Sequence, residues 1–262
     1  MMKKQMMMAL VSLMALTAQA QANFNVTVTN PSKMVKTDQP VVIDLSKLGS
    51  IGEIQRAVVT VDGKEIPSQL DDTNRDCTND ELCFLLNLDK KETKNCQVQL
   101  FTEGEQAQYP ARTFAELCLP SKNKKLAKNK QDIYLRSISF DKKTKDVYHY
   151  VHSHGVCFES ELVAMRIYFD HRQTIDLYGK INKGLVIYDT QFYPSEEQLQ
   201  AGSGDDCLWV GNTYGLGALR GWDGKNQLHL TDVKYQEQRG ISEGPLRASV
   251  EVVGYRRGAG AG

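Results

Sequence analysis

One local signal repeats along most of this chain: a short apolar run rich in β-branched residues, closed by a turn former. FNVTVT (24–29), PVVIDL (40–45), AVVTVD (57–62), LCFLLNL (82–88) and CQVQLFT (96–102) are such runs, with Asn30-Pro31 and Asp62-Gly63 among the turns between them. No stretch of useful length repeats at the helical period, apart from a turn or two over 195–200. The expected fold class is therefore all-β. A small N-terminal β-sandwich is expected over 23–105 and a connecting segment over 106–132, where Pro110 and Pro120 bracket a short piece. Strand signals then resume at 133–140, 147–154, 156–169, 174–178, 184–187, 208–210, 232–238 and 246–253, as in a larger antiparallel sandwich over 133–262.

The first residues read as an address rather than as fold. Lys3 and Lys4 precede an apolar run from Met6 to Leu16, and Ala18-Gln19-Ala20 supplies small residues, so 1–22 is expected to be a cleaved secretory signal peptide and the mature chain periplasmic or secreted. The apolar run is too short for a bilayer, and no later stretch approaches the ~20 apolar residues that a membrane helix needs. The whole chain balances 32 basic against 32 acidic residues, so losing Lys3 and Lys4 leaves a slight acidic excess. With that balance and no basic block able to neutralise a phosphate backbone, nucleic acid is not an expected partner. Nothing in the pattern fixes an oligomeric state.

Export permits disulfides among Cys77, Cys83, Cys96, Cys118, Cys157 and Cys207, but a mature chain of about 240 residues has core enough without them, and buried thiols are an equal reading. No cysteine and histidine spacing suits zinc. In LDDTNRDCTNDEL (70–82), Asp72, Asn74, Asp76 and Asp80 fall at positions 1, 3, 5 and 9 of a calcium loop. Cys77 stands where such a loop turns on glycine, and Cys83 where it has its bidentate glutamate, so an acidic turn competes with a calcium site.

The densest chemistry is HSHGVCFESE, 152–161. If 148–154 is extended, Tyr148, Tyr150, His152 and His154 share one face, and Gly155 lets the next strand present Glu159 and Glu161. By the same alternation Arg166, Tyr168 and Asp170 share a face, as do Asp176, Tyr178 and Lys180, across a hairpin at 170–173. Charges at period two within long apolar strands describe a concave sheet face built for a polar ligand, because burying them dry is too costly unless each is paired.

The stretches VVTVDGKEIPSQLDD, HSHGVCFESELVAMRIYFDHRQTIDLYGK, GDDCLWVGNTYGLGALRGWDG and SEGPLRASVEVV resemble domain-of-unknown-function family 4861. Its members are exported bacterial proteins commonly encoded among polysaccharide-degradation genes. The resemblance implies a β-supersandwich similar to galactose mutarotase-like proteins, several polysaccharide lyases and glycoside hydrolases. It also implies a domain that continues beyond GYRRGAGAG, so that part of the supersandwich is expected to be missing. It supplies no catalytic residues.

The residues themselves admit several chemistries on an oligosaccharide or polysaccharide. Elimination on a uronide needs a cation on the carboxylate, a base for the C5 proton and an acid for the leaving oxygen. Arg166 or Lys180 suits the first role, and His152, His154 or Tyr178 the others. Hydrolysis needs two carboxyl groups, drawn from Glu159, Glu161, Asp170, Asp176, Asp205 and Asp206. An epimerase or mutarotase needs one histidine and one glutamate. Tyr150, Tyr168, Arg172, Trp209 and Trp222 are further substrate-binding candidates, the aromatic ones as platforms for sugar faces. None of these chemistries requires a cofactor. The expected function is a lyase or glycoside hydrolase acting on acidic oligosaccharides. Catalysis falls to His152, His154, Glu159, Glu161 and Tyr178, and the acid preference rests on Arg166, Lys180 and the cationic run over 122–130. The competing class is a non-catalytic sugar-binding module.

Overall fold

The computed structural model describes residues 22–121, 131–141, 143–144, 147–170, 172–209, 211, 213–229 and 233–255. The expected leader, the cationic run over 122–130, His171 in the expected hairpin, and the tail after Tyr255 lie outside these residues. Seven strands form the first unit: β1 (Ala22–Thr29), β2 (Lys36–Asp44), β3 (Arg56–Val61), β4 (Lys64–Ile66), β5 (Ser68–Asp71), β6 (Glu81–Leu88) and β7 (Thr93–Phe101). They pair as two antiparallel sheets, β1-β7-β3-β4 and β2-β6-β5. Alternation is clean in β3, where Ala57, Val59 and Val61 point inward to meet Leu82, Phe84, Leu86, Val98 and Leu100. Each such side chain taken out of water contributes roughly 1.5–3 kcal/mol.

The second part carries β8 (Thr113–Glu116), β9 (Cys118–Leu119), β10 (Ile133–Tyr134), β11 (Ser137–Asp141), β12 (Gly155–Ser160), β13 (Val163–Tyr168), β14 (Thr174–Gly179), β15 (Asp205–Asp206), β16 (Gly217–Ala218), β17 (Arg220–Trp222), β18 (Gln227–His229), β19 (Tyr235–Glu243) and β20 (Ala248–Tyr255). Its central sheet runs β15-β14-β13-β12-β8, with β16 added beside β14. Thus β8, from the expected connecting segment, is the edge strand of this sheet. A second sheet, β11-β19-β20, lies against one face, where Leu117, Val147, Val151, Val156 and Phe169 meet Ile138, Phe140, Val250 and Val252. Gln238 ties the layers, accepting from the Val156 N–H at 2.8 Å and donating to the Ile167 carbonyl at 3.0 Å. The opposite face is covered by the short helix α1 (Ile187–Thr190) and by Phe192, packed on Cys157, Ala164 and Tyr178.

Three local expectations are corrected. Residues 147–154 are not a strand: Val147–His149 and His152–His154 are 3-10 turns, so Tyr148, Tyr150, His152 and His154 do not line one face of a sheet. Residues 156–169 are two strands joined at Glu161 and Leu162, and 184–187 leads into α1 instead of forming a strand. The turn over 195–200 is helix α2 (Glu196–Gln200), closed by a capping box between Ser195 and Gln198.

Candidate active site

Strand register brings the polar groups together. Glu116 on β8 stands opposite Cys157 on β12, Cys157 opposite Arg166 on β13, and Arg166 opposite Asp176 on β14. Directly opposed residues put their side chains on one face, so these four make a single row across the sheet beneath the α1 segment. All four are buried. A buried row of this kind must satisfy itself or a ligand.

At one end, Glu116 bonds the Nδ1 of His152, which comes from the turn at His152–His154. Cys157 Sγ also approaches Glu116, at 3.5 Å. Burial works against charge on His152, but the Glu116 carboxylate outweighs it, and the pKa is raised above 6.5. Its Nε2 is buried without a hydrogen-bond partner. His154 is held differently. Its Nδ1 lies 3.2 Å from the Tyr148 carbonyl, which can only accept, so that nitrogen carries the proton. Burial lowers its pKa below 6.5, with Arg166 adding to the effect. Ser153 and His154 sit at φ 51° and 65°, a left-handed pair with no glycine, which is strain of the kind that collects at functional sites.

Both imidazoles line a hollow of about 530 Å³ together with Glu116, Asp132, Tyr134, His149, Asp189, Gln191 and Tyr193. A smaller hollow of about 190 Å³ adjoins it through Tyr193 and is lined by Arg166, Tyr168, Asp176, Asp206 and Trp209. Here the Arg166 Nε and Nη2 donate to Asp176 at 3.0 and 2.7 Å, and Nη2 also donates to the hydroxyls of Tyr168 at 2.7 Å and Tyr193 at 2.9 Å. Its Nη1 is buried with no partner. Burial raises the Asp206 carboxyl above its ordinary value, and Asp176 reinforces this. His154 stacks on Tyr168 with ring planes 8° apart, so the two hollows share a wall.

A family model matches residues 28–256. The chain belongs to the family described as Domain of unknown function (DUF4861). No curated protein and no solved structure matches this DUF4861 chain.

Several sequence candidates of this DUF4861 domain stand elsewhere. Glu159 forms a solvent-free ion pair with Lys180 and accepts from the backbone N–H groups of Val186 and Ile187. Lys180 also donates to the carbonyls of Ser160 and Gly184. The pair thus fastens the α1 segment and lines neither hollow. Glu161 bonds Arg112 at 2.8 Å, which is itself forked onto Asp38. Tyr178 is fully buried and donates to the Gly204 carbonyl. Asp170 accepts from the N–H groups of Arg172 and Gln173 and from the Arg172 guanidinium, closing the turn after β13. Arg172 lines the smaller hollow, whereas Tyr150, Asp205 and the exposed Trp222 line neither. Glu116, Tyr193 and Gln191 are the residues that the sequence reading missed.

In the acidic loop, Asp72 accepts from the N–H groups of Arg75, Asp76 and Cys77, and Asp80 from those of Thr73 and Asn74. Asn74 accepts from Asp76, and Asp76 from Thr78. The side-chain oxygens thus serve the loop's own backbone as Asx turns. Among the described residues no group of three or more His, Cys, Asp or Glu side chains is placed to hold a metal ion. All six cysteines are free thiols, with Cys77 and Cys207 exposed.

Proposed function

We propose that this protein is an exported carbohydrate-active enzyme that cleaves acidic oligosaccharides by β-elimination. The observation that carries the reading is the pair of imidazoles in one hollow, each donating through Nδ1 to an acceptor of different charge, a carboxylate for His152 and a neutral carbonyl for His154. Environments that push two titratable groups apart assign the acid and the base. His154, proton on Nδ1 and kept neutral, offers the Nε2 lone pair as the base. His152, charged through Glu116, offers a proton from Nε2. In the reaction His154 takes the C5 proton of a uronide, the C–H electron pair becomes the C4–C5 double bond, and the C4–O bond breaks. His152 protonates the departing oxygen. The unpartnered Arg166 Nη1 accounts for the substrate carboxylate, whose neutralisation makes the C5 proton removable.

One observation favours glycoside hydrolysis as a second reading: Asp176 and Asp206, the latter disposed to hold a proton, face the same small hollow. A panel of uronic-acid oligosaccharides separates the readings. A new ultraviolet-absorbing unsaturated uronide supports elimination, new reducing ends without it support hydrolysis, and tight binding with no product supports a sugar-binding module. His152→Ala and His154→Ala should each cost elimination about 10²–10⁴-fold. Full activity in both variants would refute the assignment.

A further inference from the structure

We propose that the substrate joins an acidic sugar to a neutral one, the acidic ring lying in the smaller hollow against Arg166 and Trp209 and the neutral ring in the larger hollow beside His152. This rests on the acid–base reading above and extends it to substrate composition. The two hollows differ in charge. Arg166 is 1% exposed, and two of its three guanidinium nitrogens are taken by Asp176, Tyr168 and Tyr193, while Nη1 is left without a partner. A buried guanidinium N–H left unbonded is costly, and a carboxylate oxygen is its best acceptor. Asp206 holds its proton more readily than a free carboxyl, which softens its repulsion of an incoming anion. Trp209, 98% exposed, lends an open indole face on the wall of this hollow. Such a face suits the C–H side of a sugar ring.

The larger hollow has the opposite character. Glu116 lies in its floor, the exposed Asp132 and Asp189 line it, and the burial of His154 keeps that imidazole from contributing positive charge. A second sugar carboxylate there would face Asp132 and Asp189, because the Glu116 carboxylate and the His152 imidazolium offset each other. A neutral ring meets the same walls as a set of hydrogen-bond partners. The discrimination is by repulsion as much as attraction. It selects a mixed uronate and neutral-sugar chain over a homopolymer of uronate.

The test uses the whole protein with two sets of oligosaccharides of equal length, one alternating uronate with neutral sugar and one of uronate only. Unsaturated product is followed for kcat/KM, and binding is followed separately by calorimetry. The alternating set should be favoured by at least about tenfold in both, the effect of a single repulsive contact. An Asp132→Asn, Asp189→Asn double variant, checked for fold by circular dichroism, should bring the ratio of the two kcat/KM values toward one. Equal binding of both sets, or a ratio untouched by the double variant, would overturn the proposal. A binding preference without unsaturated product upholds the two subsites and sinks elimination; product from both sets without preference does the reverse.

Discussion

Remove the Glu116 carboxylate and His152 loses the main interaction that offsets the cost of burial, which lowers an imidazole pKa, and keeps only the smaller upward effects of Gln191 and Asp132. For the proposed elimination, the acid limb of kcat/KM belongs to His154, which must be neutral and whose pKa burial lowers below 6.5. The alkaline limb belongs to His152, which must be charged and titrates above 6.5. Glu116→Gln should therefore move the alkaline limb to lower pH, leave the acid limb in place, and lower the maximum about 10- to 100-fold. A pH–rate profile checks this, and an unmoved alkaline limb would show that His152 is not the acid. Stability carries the same signature. A raised folded pKa contributes stability below 6.5 that is lost as pH rises through the higher folded value, and the variant should lose that contribution. The sequence displays the two histidines but not the carboxylate that holds His152. Glu116 is one acid in the Thr113–Glu116 strand, and only the register of β8 on β12, with the turn at His152–His154, makes it the neighbour of His152.

Among the elements, the turn at His152–His154 and the strand that follows it act as one device. Gly155 lies against β13 so closely that an added Cβ would stand 2.0 Å from the Ile167 carbonyl oxygen and 3.0 Å from the Phe169 nitrogen. These are backbone atoms held by the ladder, so they cannot step aside. Gly155→Ala should cost about 3 kcal/mol, seen as a lower denaturation midpoint, and should abolish activity by displacing His154. Wild-type stability in that variant would mean that β12 and β13 pack less closely than described. Strand parity was legible here: Arg166 and Tyr168 share a face, as do Asp176 and Tyr178, because period-two alternation maps onto β13 and β14. The turn before β12 was not legible. Ser153 and His154 take left-handed conformations without the Gly or Asn that announces them, and Tyr148, Tyr150, His152 and His154 imitate a strand.

The whole molecule is joined by a polar seam that no local pattern could announce, since its partners lie 178 residues apart. Gln69 on β5 accepts from the N–H groups of Leu246 and Arg247 at 2.9 Å and donates to the Arg247 carbonyl at 2.9 Å, bonding the chain ahead of β20 to the first unit. The Arg247 guanidinium then bridges Asp71 on β5 and Glu81 on β6, both part of the N-terminal sandwich. Asp71 is 5% exposed, so deleting Arg247 leaves a buried charge with only the Gln69 amide to bond it. Gly244 admits the Gln69 side chain, where an added Cβ would fall 2.1 Å from it. Breaking a buried pair on one side costs about 3–5 kcal/mol, and the partial exposure of Arg247 brings the expectation for Arg247→Ala to about 2–4 kcal/mol. In a chain of this size that lowers Tm by roughly 5–15 °C. Scanning calorimetry should show it, with Arg247→Lys recovering part of the loss through Asp71 alone, because a lysine cannot fork onto two carboxylates. An unchanged Tm in Arg247→Ala would mean that the two units are held by their apolar contacts, and that the geometry of the hollows does not depend on the N-terminal sandwich.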